Sequence, residues 1–323
     1  MTAAAAAAVR LIDGDVVDAL ATVEVGLAAA ESAALLSRDQ VATGRVQVNG
    51  AHSWMRVLAG CLSELDLSGY KEFHRVGQRV YYHIYLFRES TGEPLGIVDG
   101  RRITSLRTSA TAAVAVRAWA AGREVSVGVI GSGEEAREGL RALRGTVNVT
   151  RSWVYSPTPA NRKAFAESMT RELGLQVTVA DSQDEVLGSS DVLYVATSSH
   201  HTPFLTGADV ASIPLLAAIG STQPVHRELR GDAFEGAAVV VDTLDAIKES
   251  GDLIEAVAGG WDPASARTLA EHLRQPVRAG RVIFKSVGSI EQDLVLAAHL
   301  LRAAQERDLG ELVDPVGSLR VMR

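Results

Sequence analysis

From Val125 to Asp242 the chain keeps to one pattern, in which short runs rich in β-branched residues alternate with longer polar or amphipathic segments. The runs are VSVGVI, SWVY, VTVA, DVLYVAT, LLAAIG and AAVVVD, several of them separated by helix-forming stretches such as PANRKAFAESMTREL. A strand buried on both faces reads as a continuous apolar run, and strands joined through helices pair in parallel. This segment is predicted to be an α/β, doubly wound parallel sheet.

The flanking chain has a different texture. Val16, Leu20, Val23, Leu27, Ala30 and Ala34 recur at helical spacing and predict one amphipathic helix over 15–36. RVYYHIYLF (79–87) is β-branched and aromatic, and STGEPLG reads as a turn into another strand, so residues 41–100 are predicted to form an antiparallel sheet. TSATAAVAVRAWAAG (108–122) reads as a helix ended by Gly122, and SIEQDLVLAAHLLRAAQERD (289–308) as a long closing helix. At 323 residues the chain exceeds one comfortable core. We assign 123–302 to the doubly wound domain and 1–122 with 303–323 to a discontinuous α+β domain.

A net charge of −7 argues against a nucleic-acid surface, so anionic small molecules would have to be met by local arginines. The single cysteine, Cys61, excludes a disulfide framework and a thiolate metal site, and no metal is expected. The opening MTAAAAAAVR lacks a basic n-region, and the apolar stretches fall well short of the ~18 residues of a membrane span. A soluble cytoplasmic protein is expected, with no membrane partner.

VSVGVIGSGEEAREGL carries the first chemical signal. A strand, then G-x-G-x-x-A, then a helix is how a Rossmann-type fold approaches a dinucleotide pyrophosphate. Gly131 permits the turn, Gly133 the close backbone approach, and Ala136 keeps helix and sheet together, so the N–H groups from Ser132 through Glu135 to Ala136 would meet the phosphates. The alternative is a small-residue turn without a ligand. Glu134 and Glu135 stand where the anion belongs, and Arg137 is a candidate to offset them. At the end of the second strand, where NAD enzymes place an acid for the ribose hydroxyl, SPTPANR offers Ser156, Thr158 and Arg162 instead. That set suits a 2′-phosphate, which favours NADP(H) with NAD(H) as the alternative. Ala196, Thr197 and Ser198, then Gly220 and Ser221, end parallel strands at the ligand-bearing edge and are further cofactor candidates.

In IVDGRRITSLRTSATAAVA, Asp99-Gly100 is a turn, Thr104 or Thr108 can cap a helix, and Arg107 stands just before the apolar stretch. There it either reaches solvent or holds an anion at a helix N-terminus. At this point the sequence resembles the ornithine cyclodeaminase and mu-crystallin family. The resemblance rests on TGEPLGIVDGRRITSLRTSATAAVA, VGVIGSGEEAR, SSDVLYVAT, AAIGSTQPVHREL and FKSVGSIEQDL, in that order over nearly the whole chain. It implies a homodimer whose outer domain carries the dimer interface and the substrate site. It also implies hydride transfer between a nicotinamide cofactor and the α-carbon of a small amino or imino acid. The substrate carboxylate would be held by residues matching Arg107 in SLRTSA, Lys71 in GYKEF and Arg45 in TGRVQV; the alternative for Lys71 and Arg45 is solvated surface charge. Lys71, crowded by two arginines, is expected to favour its neutral form and to exchange a proton with the substrate nitrogen. The loop holding Ser286 and Gly288 would close over the nicotinamide side, with Ser289 capping the helix after it.

One departure from the resemblance directs the chemistry. Cyclodeaminases carry an aspartate two residues after the glycine of IGSTQPVHREL, and here that position is Thr222. A threonine hydroxyl is no general base near neutral pH. Reduction of an imine asks mainly for orientation, so the reading is reduction of an α-imino acid or the reverse dehydrogenation. A cyclodeaminase lacking the aspartate, and a non-catalytic NADPH-binding protein, are the competing readings. His200 and His201 fit no metal spacing, and His83 is read as a sheet residue of undetermined face.

Overall fold

The computed structural model describes residues 8–198 and 201–314, so His200 lies outside the described residues. By packing the chain divides into two compact units, one running to Arg107 and resuming at Ser289, the other spanning Thr108–Gly288.

The first unit opens with β1 (Val9–Ile12), α1 (Gly14–Leu20) and α2 (Val23–Leu35). The single helix expected over 15–36 is therefore two. Thr22 takes extended backbone and its hydroxyl accepts from the Val25 amide, which starts a second helix, while the Asp13 carboxylate caps the first through Val16. β2 (Val41–Asn49), β3 (Ser53–Leu62), β4 (Leu67–Val76), β5 (Arg79–Arg88) and β6 (Pro94–Asp99) form the expected antiparallel meander. β1 adds to β6 in parallel, and a short late strand extends the sheet beyond β1.

α3 (Arg101–Ala120) starts earlier than the sequence suggests. The Asp99 carboxylate accepts the Arg101 amide at 3.0 Å, and Thr104 bonds back to the Gly100 carbonyl within the helix instead of capping it. Arg107 consequently lies inside α3, which overturns its placement at a helix N-terminus. Ala121 and Gly122, both at positive φ, end the helix.

The second unit alternates β7 (Glu124–Ile130), α4 (Glu134–Arg144), β8 (Asn148–Tyr155), α5 (Pro159–Leu173), β9 (Val177–Val179), α6 (Gln183–Leu187) and β10 (Val192–Val195). It continues through β11 (Leu215–Ala218), β12 (Ala238–Val241), α7 (Ala246–Glu249), α8 (Gly251–Ala258), β13 (Arg267–Thr268), α9 (Leu269–Arg274) and β14 (Val282–Lys285). All pairings are parallel, in the order β13-β12-β14-β11-β10-β7-β8-β9. β14 is not among the strands expected from the sequence, because its apolar run VIF is bounded by Arg281 and Lys285, yet it sits between β11 and β12. From β7 the chain winds outward through β8 and β9, then returns to β10 on the other side. The β7/β10 crevice is therefore the switch point where such sheets bind ligands.

The last helix, α10 (Ile290–Glu306), belongs wholly to the first unit and precedes β15 (Glu311–Val313), the late strand of its sheet. The sequence assignment places most of it with the doubly wound domain, and the structure corrects this. Its apolar stripe of Ile290, Leu294, Ala297 and Leu301 packs instead with Leu58, Ile84, Leu86 and Val98 of the meander. Periodicity reveals such a stripe but not which sheet it covers.

Two glycines let α10 press on the strands. A Cβ at Gly60 would lie 2.9 Å from Ile290, and one at Gly69 would lie 2.9 Å from Leu294 and 2.2 Å from the Tyr85 carbonyl oxygen. Because one of those obstacles is backbone, Gly69→Ala should destabilise the first unit by roughly 1–3 kcal/mol through overpacking. Urea unfolding monitored by far-UV circular dichroism measures this; an unchanged midpoint would contradict the close seat of α10.

Candidate active site

In the first unit the sheet register sets the geometry. Arg45, Leu58, Lys71 and Ile84 lie opposite one another across β2 to β5, so their side chains share one face. Arg45 is two strands from Lys71, about 10 Å by strand spacing, and is exposed at the sheet's edge. Lys71 is only 1% exposed and lies under α10. Its Nζ donates to Thr104 Oγ1 at 2.7 Å and to Asp293 Oδ1 at 2.8 Å, with the Phe73 and Tyr82 rings each 5.6 Å away. Arg107 Nε stands 3.4 Å from the same Asp293 oxygen, and its Nη1 donates to Gln292 at 3.3 Å. The Arg107 side chain keeps 12% of its exposure, against 2% for Lys71 and 1% for Asp293.

The structure thus brings Lys71 and Arg107 together and leaves Arg45 on the same face at a distance. It also supplies a residue that the sequence reading misses, Asp293. The cationic crowding expected around Lys71 is offset by this carboxylate. The signal was available: Asp293 lies beside the apolar stripe of α10, and an acid buried there requires a cation. His83 is half-exposed, pairs with Glu72 at 3.4 Å, and lies on the face opposite Lys71.

The second unit carries the glycine turn. Gly131 has φ of +121°, and a Cβ there would stand 2.1 Å from the Ala196 carbonyl oxygen, so only glycine allows the ends of β7 and β10 to meet this closely. Gly133 occupies the N-cap of α4 with open space where a side chain would be, and Ala136 is fully buried against the sheet. Open space at the N-cap and tight packing behind it fit a dinucleotide pyrophosphate laid on the amides. Ser132 and Ser156 pair through their hydroxyls at 3.0 Å. Glu134 is exposed and Glu135 half-buried. Arg137 does not turn to the amides: its guanidinium donates to Ser168 at 2.8 Å and lies over the Phe165 ring.

After β8, the Arg162 guanidinium donates to the Ser156 carbonyl at 3.1 Å, lies over the Tyr155 ring, and stands 3.8 Å from Asp181. Thr158 is exposed, and its hydroxyl makes no capping bond at the start of α5. At the ends of the next strands, Ala196, Thr197 and Gly220 are half-buried and Ser198 is exposed. Ser221 is turned inward, fully buried, with its hydroxyl on the His226 carbonyl and beside Ser250. Thr222 is half-buried in the same loop, and His201 is exposed.

Ser286 and the Gly288 amide both donate to buried Asp242, at 2.7 and 2.8 Å, so the Ser286 hydroxyl shapes its loop from within. Gly288 has positive φ, and Ser289 occupies the N-cap of α10 without making the side-chain cap bond expected of it. Asp242 and Glu228, which organise these loops, do not stand out in the sequence. Both lie just beyond or between apolar runs, where an acid reads as an ordinary turn residue.

The family model described as "Ornithine cyclodeaminase/mu-crystallin family" matches residues 12–302. The chain belongs to that family. A Delta(1)-pyrroline-2-carboxylate reductase of Bacillus cereus is 29% identical over 255 residues, covering 75% of this chain and 77% of that one. An NAD(P)H-dependent anabolic L-arginine dehydrogenase of Pseudomonas aeruginosa is 30% identical over 227 residues, covering 68% and 71%. Among solved structures, Thermococcus litoralis Delta(1)-pyrroline-2-carboxylate reductase in complex with NADH and L-proline superposes with a TM-score of 0.85. It is 26% identical, with 94% of this chain and 100% of that chain covered. No helix among the described residues is long and apolar enough to cross a membrane.

Glu135 places negative charge in the first turn of α4, beside the amides that would receive a pyrophosphate. Glu135→Gln should tighten binding of the nicotinamide dinucleotide, NADH or NADPH, by about twofold at low salt. Fluorescence titration measures this; unchanged or weaker binding would mean that the carboxylate points away or makes a contact the cofactor needs.

Proposed function

We propose that the protein is an NAD(P)H-dependent oxidoreductase that reduces the C=N bond of a small α-imino acid, or oxidises the corresponding amino acid. The observation that carries this reading is the buried Lys71–Asp293–Arg107 cluster in a chain whose other unit holds an open dinucleotide turn. The reductase and dehydrogenase relatives act on bonds of this kind, and the Thermococcus enzyme holds NADH and L-proline, a reduced cofactor and a cyclic α-amino acid. Thr222 in place of the cyclodeaminase aspartate points the same way.

A reduced nicotinamide, when bound, supplies the hydride. Arg107, whose guanidinium still reaches solvent, takes the substrate carboxylate, with Lys71 adding positive charge behind it. Addition of hydride to the imino carbon turns C=N into CH–N, and the nitrogen gains one proton. Lys71, fixed between Thr104 and Asp293, is the group assigned to deliver that proton. Arg45, exposed on the same sheet face, contributes to the field that draws in the anion. The homodimer is part of this proposal; exposed Val46, Val48 and Tyr81 share the opposite face of the sheet, where a second copy would cover them.

Purified protein with NADPH or NADH and a panel of cyclic and acyclic α-imino acids should oxidise the cofactor, with Arg107→Ala lowering kcat/KM by about a hundredfold or more. No oxidation with any imine would overturn the reading. Proline and ammonia formed from ornithine with catalytic NAD would replace it by cyclodeamination. Tight NADPH binding without turnover, and indifferent to Arg107→Ala, would replace it by a binding role.

For the cofactor we favour NADP(H). Support comes from Arg162 and the exposed Thr158 hydroxyl after β8, and from the lack of an acid at that strand end. Arg162→Ala should raise the KM for NADPH by about tenfold while leaving that for NADH within about twofold. Equal changes for both cofactors would remove the preference.

A further inference from the structure

Three segments of the second unit are tied together by one carboxylate. Glu228 is fully buried. Its Oε1 accepts from the Thr197 amide and the Thr197 hydroxyl, both at 2.8 Å, and its Oε2 accepts from the Gly220 amide at 2.8 Å. Thr197 follows β10 and Gly220 follows β11, so this side chain spans the carboxyl ends of two adjacent strands. A Cβ at Gly220 would lie 2.2 Å from the Glu228 carboxylate, and glycine is what permits the contact. Ala196, next to Thr197, is the residue whose carbonyl fills the space left by Gly131. Glycine turn, β10 loop, Glu228 and β11 loop therefore form one continuous contact.

Behind this clasp lie two more buried charges. Lys285 Nζ stands 4.0 Å from Glu228 Oε2 and 2.9 Å from Asp252 Oδ2, and all three side chains are fully buried. Asp252 Oδ1 accepts from the amides of Glu228 and Leu229, which holds the Glu228 backbone in place. Burying three ionisable groups is costly, and an apolar trio would fill the space more cheaply. An ionised carboxylate offers what an apolar group cannot: acceptors to donors on both loops at once.

We propose that Glu228 is the positioning residue that locks the two cofactor-lining loops together, and that its ionised form sets the affinity for the nicotinamide dinucleotide. This rests on the reading of Thr197 and Gly220 as cofactor-lining. Burial above all, and then the Asp252 charge, push the Glu228 carboxyl up to about 7, against the opposing pull of Lys285 and the Thr197 hydrogen bonds. Among the described residues, the charged groups facing it are Lys285 from β14 and Asp252 from α8, while Thr197 and Gly220 present neutral donors. A protonated Glu228 turns one oxygen into a donor and releases one loop, so dinucleotide binding weakens as the pH falls through about 7.

Fold stability runs the other way. A carboxyl raised above its usual value stabilises the fold most when protonated, and that contribution is lost as pH rises towards about 7. Affinity and stability thus respond to the same proton with opposite sign.

The test uses NAD+, because the 2′-phosphate of NADP+ is expected to titrate itself, with a pKa of about 6. For the wild type, calorimetric titration should show Kd rising about tenfold from about pH 8.5 to about pH 6. Over the same range the melting temperature of the free protein should fall with increasing pH relative to Glu228→Gln. Glu228→Gln should bind weakly at every pH with a flat profile, since an amide cannot accept on both sides. Thr197→Val deletes one bond that favours the ionised form, so the midpoint should move to higher pH. This variant, with the wild-type profile, decides the matter if Glu228→Gln does not fold. A flat wild-type profile, a wild-type profile in folded Glu228→Gln, or an unmoved midpoint in Thr197→Val would each overturn the proposal. Failure of the wild type to bind NAD+ or NADP+ at any pH would overturn the functional reading and this inference together.

Discussion

The Asp293 carboxylate is the constraint around which the first unit is arranged. It is 1% exposed, 2.8 Å from Lys71 Nζ and 3.4 Å from Arg107 Nε. Those groups come from a strand of the meander, from the helix after it, and from a helix far along the chain. A buried charge left without its partner costs about 3–5 kcal/mol, so none of the three is replaceable alone. The close seat of α10 on Gly60 and Gly69 is what brings Asp293 within reach of Lys71. The close packing and the charge pairing thus fix the position of α10 together.

The second unit solves a similar problem with backbone. Its loops end short parallel strands; Leu205 and Leu229 anchor them in the core, and the glycine turns at their starts are held by backbone contacts. Gly131 and Gly220 remove side chains where neighbouring groups must pass, and buried acids gather the amides: Asp242 for the loop through Gly288, Asp252 and Glu228 for those around Gly220 and Thr197. Each acid accepts several donors, so a shift in one loop is transmitted to the next. Under the proposed function, this support would hold the amides in place for an anionic cofactor.

What can be read in the sequence follows the reach of local pattern. β7 to β12 are visible as apolar runs, the glycine turn as G-x-G-x-x-A, and the antiparallel meander as alternating β-branched and aromatic residues. β14 is as long as β10, β11 and β12, but its apolar run VIF is bounded by Arg281 and Lys285 and so reads as charged surface, and the break at Thr22 is hidden because hydrophobic spacing continues through it. The start of α3 is misplaced because Thr104 and Thr108 both look like caps, whereas Asp99 does the capping. Lys71 and Arg107 are reached through a family resemblance, since an isolated cation in a sequence is nearly always a solvated one.

By itself the sequence determined the doubly wound sheet, the place of the glycine turn and the absence of an acid at Thr222. These are properties of neighbouring residues, fixed by backbone sterics and by the side chain present at one position. Only the tertiary structure decided which sheet α10 covers, which cations share a carboxylate, and that Ser221 and Ser286 face inward. Those outcomes depend on contacts between residues far apart in sequence, where a buried polar group must find a partner and the partner's position is set by packing.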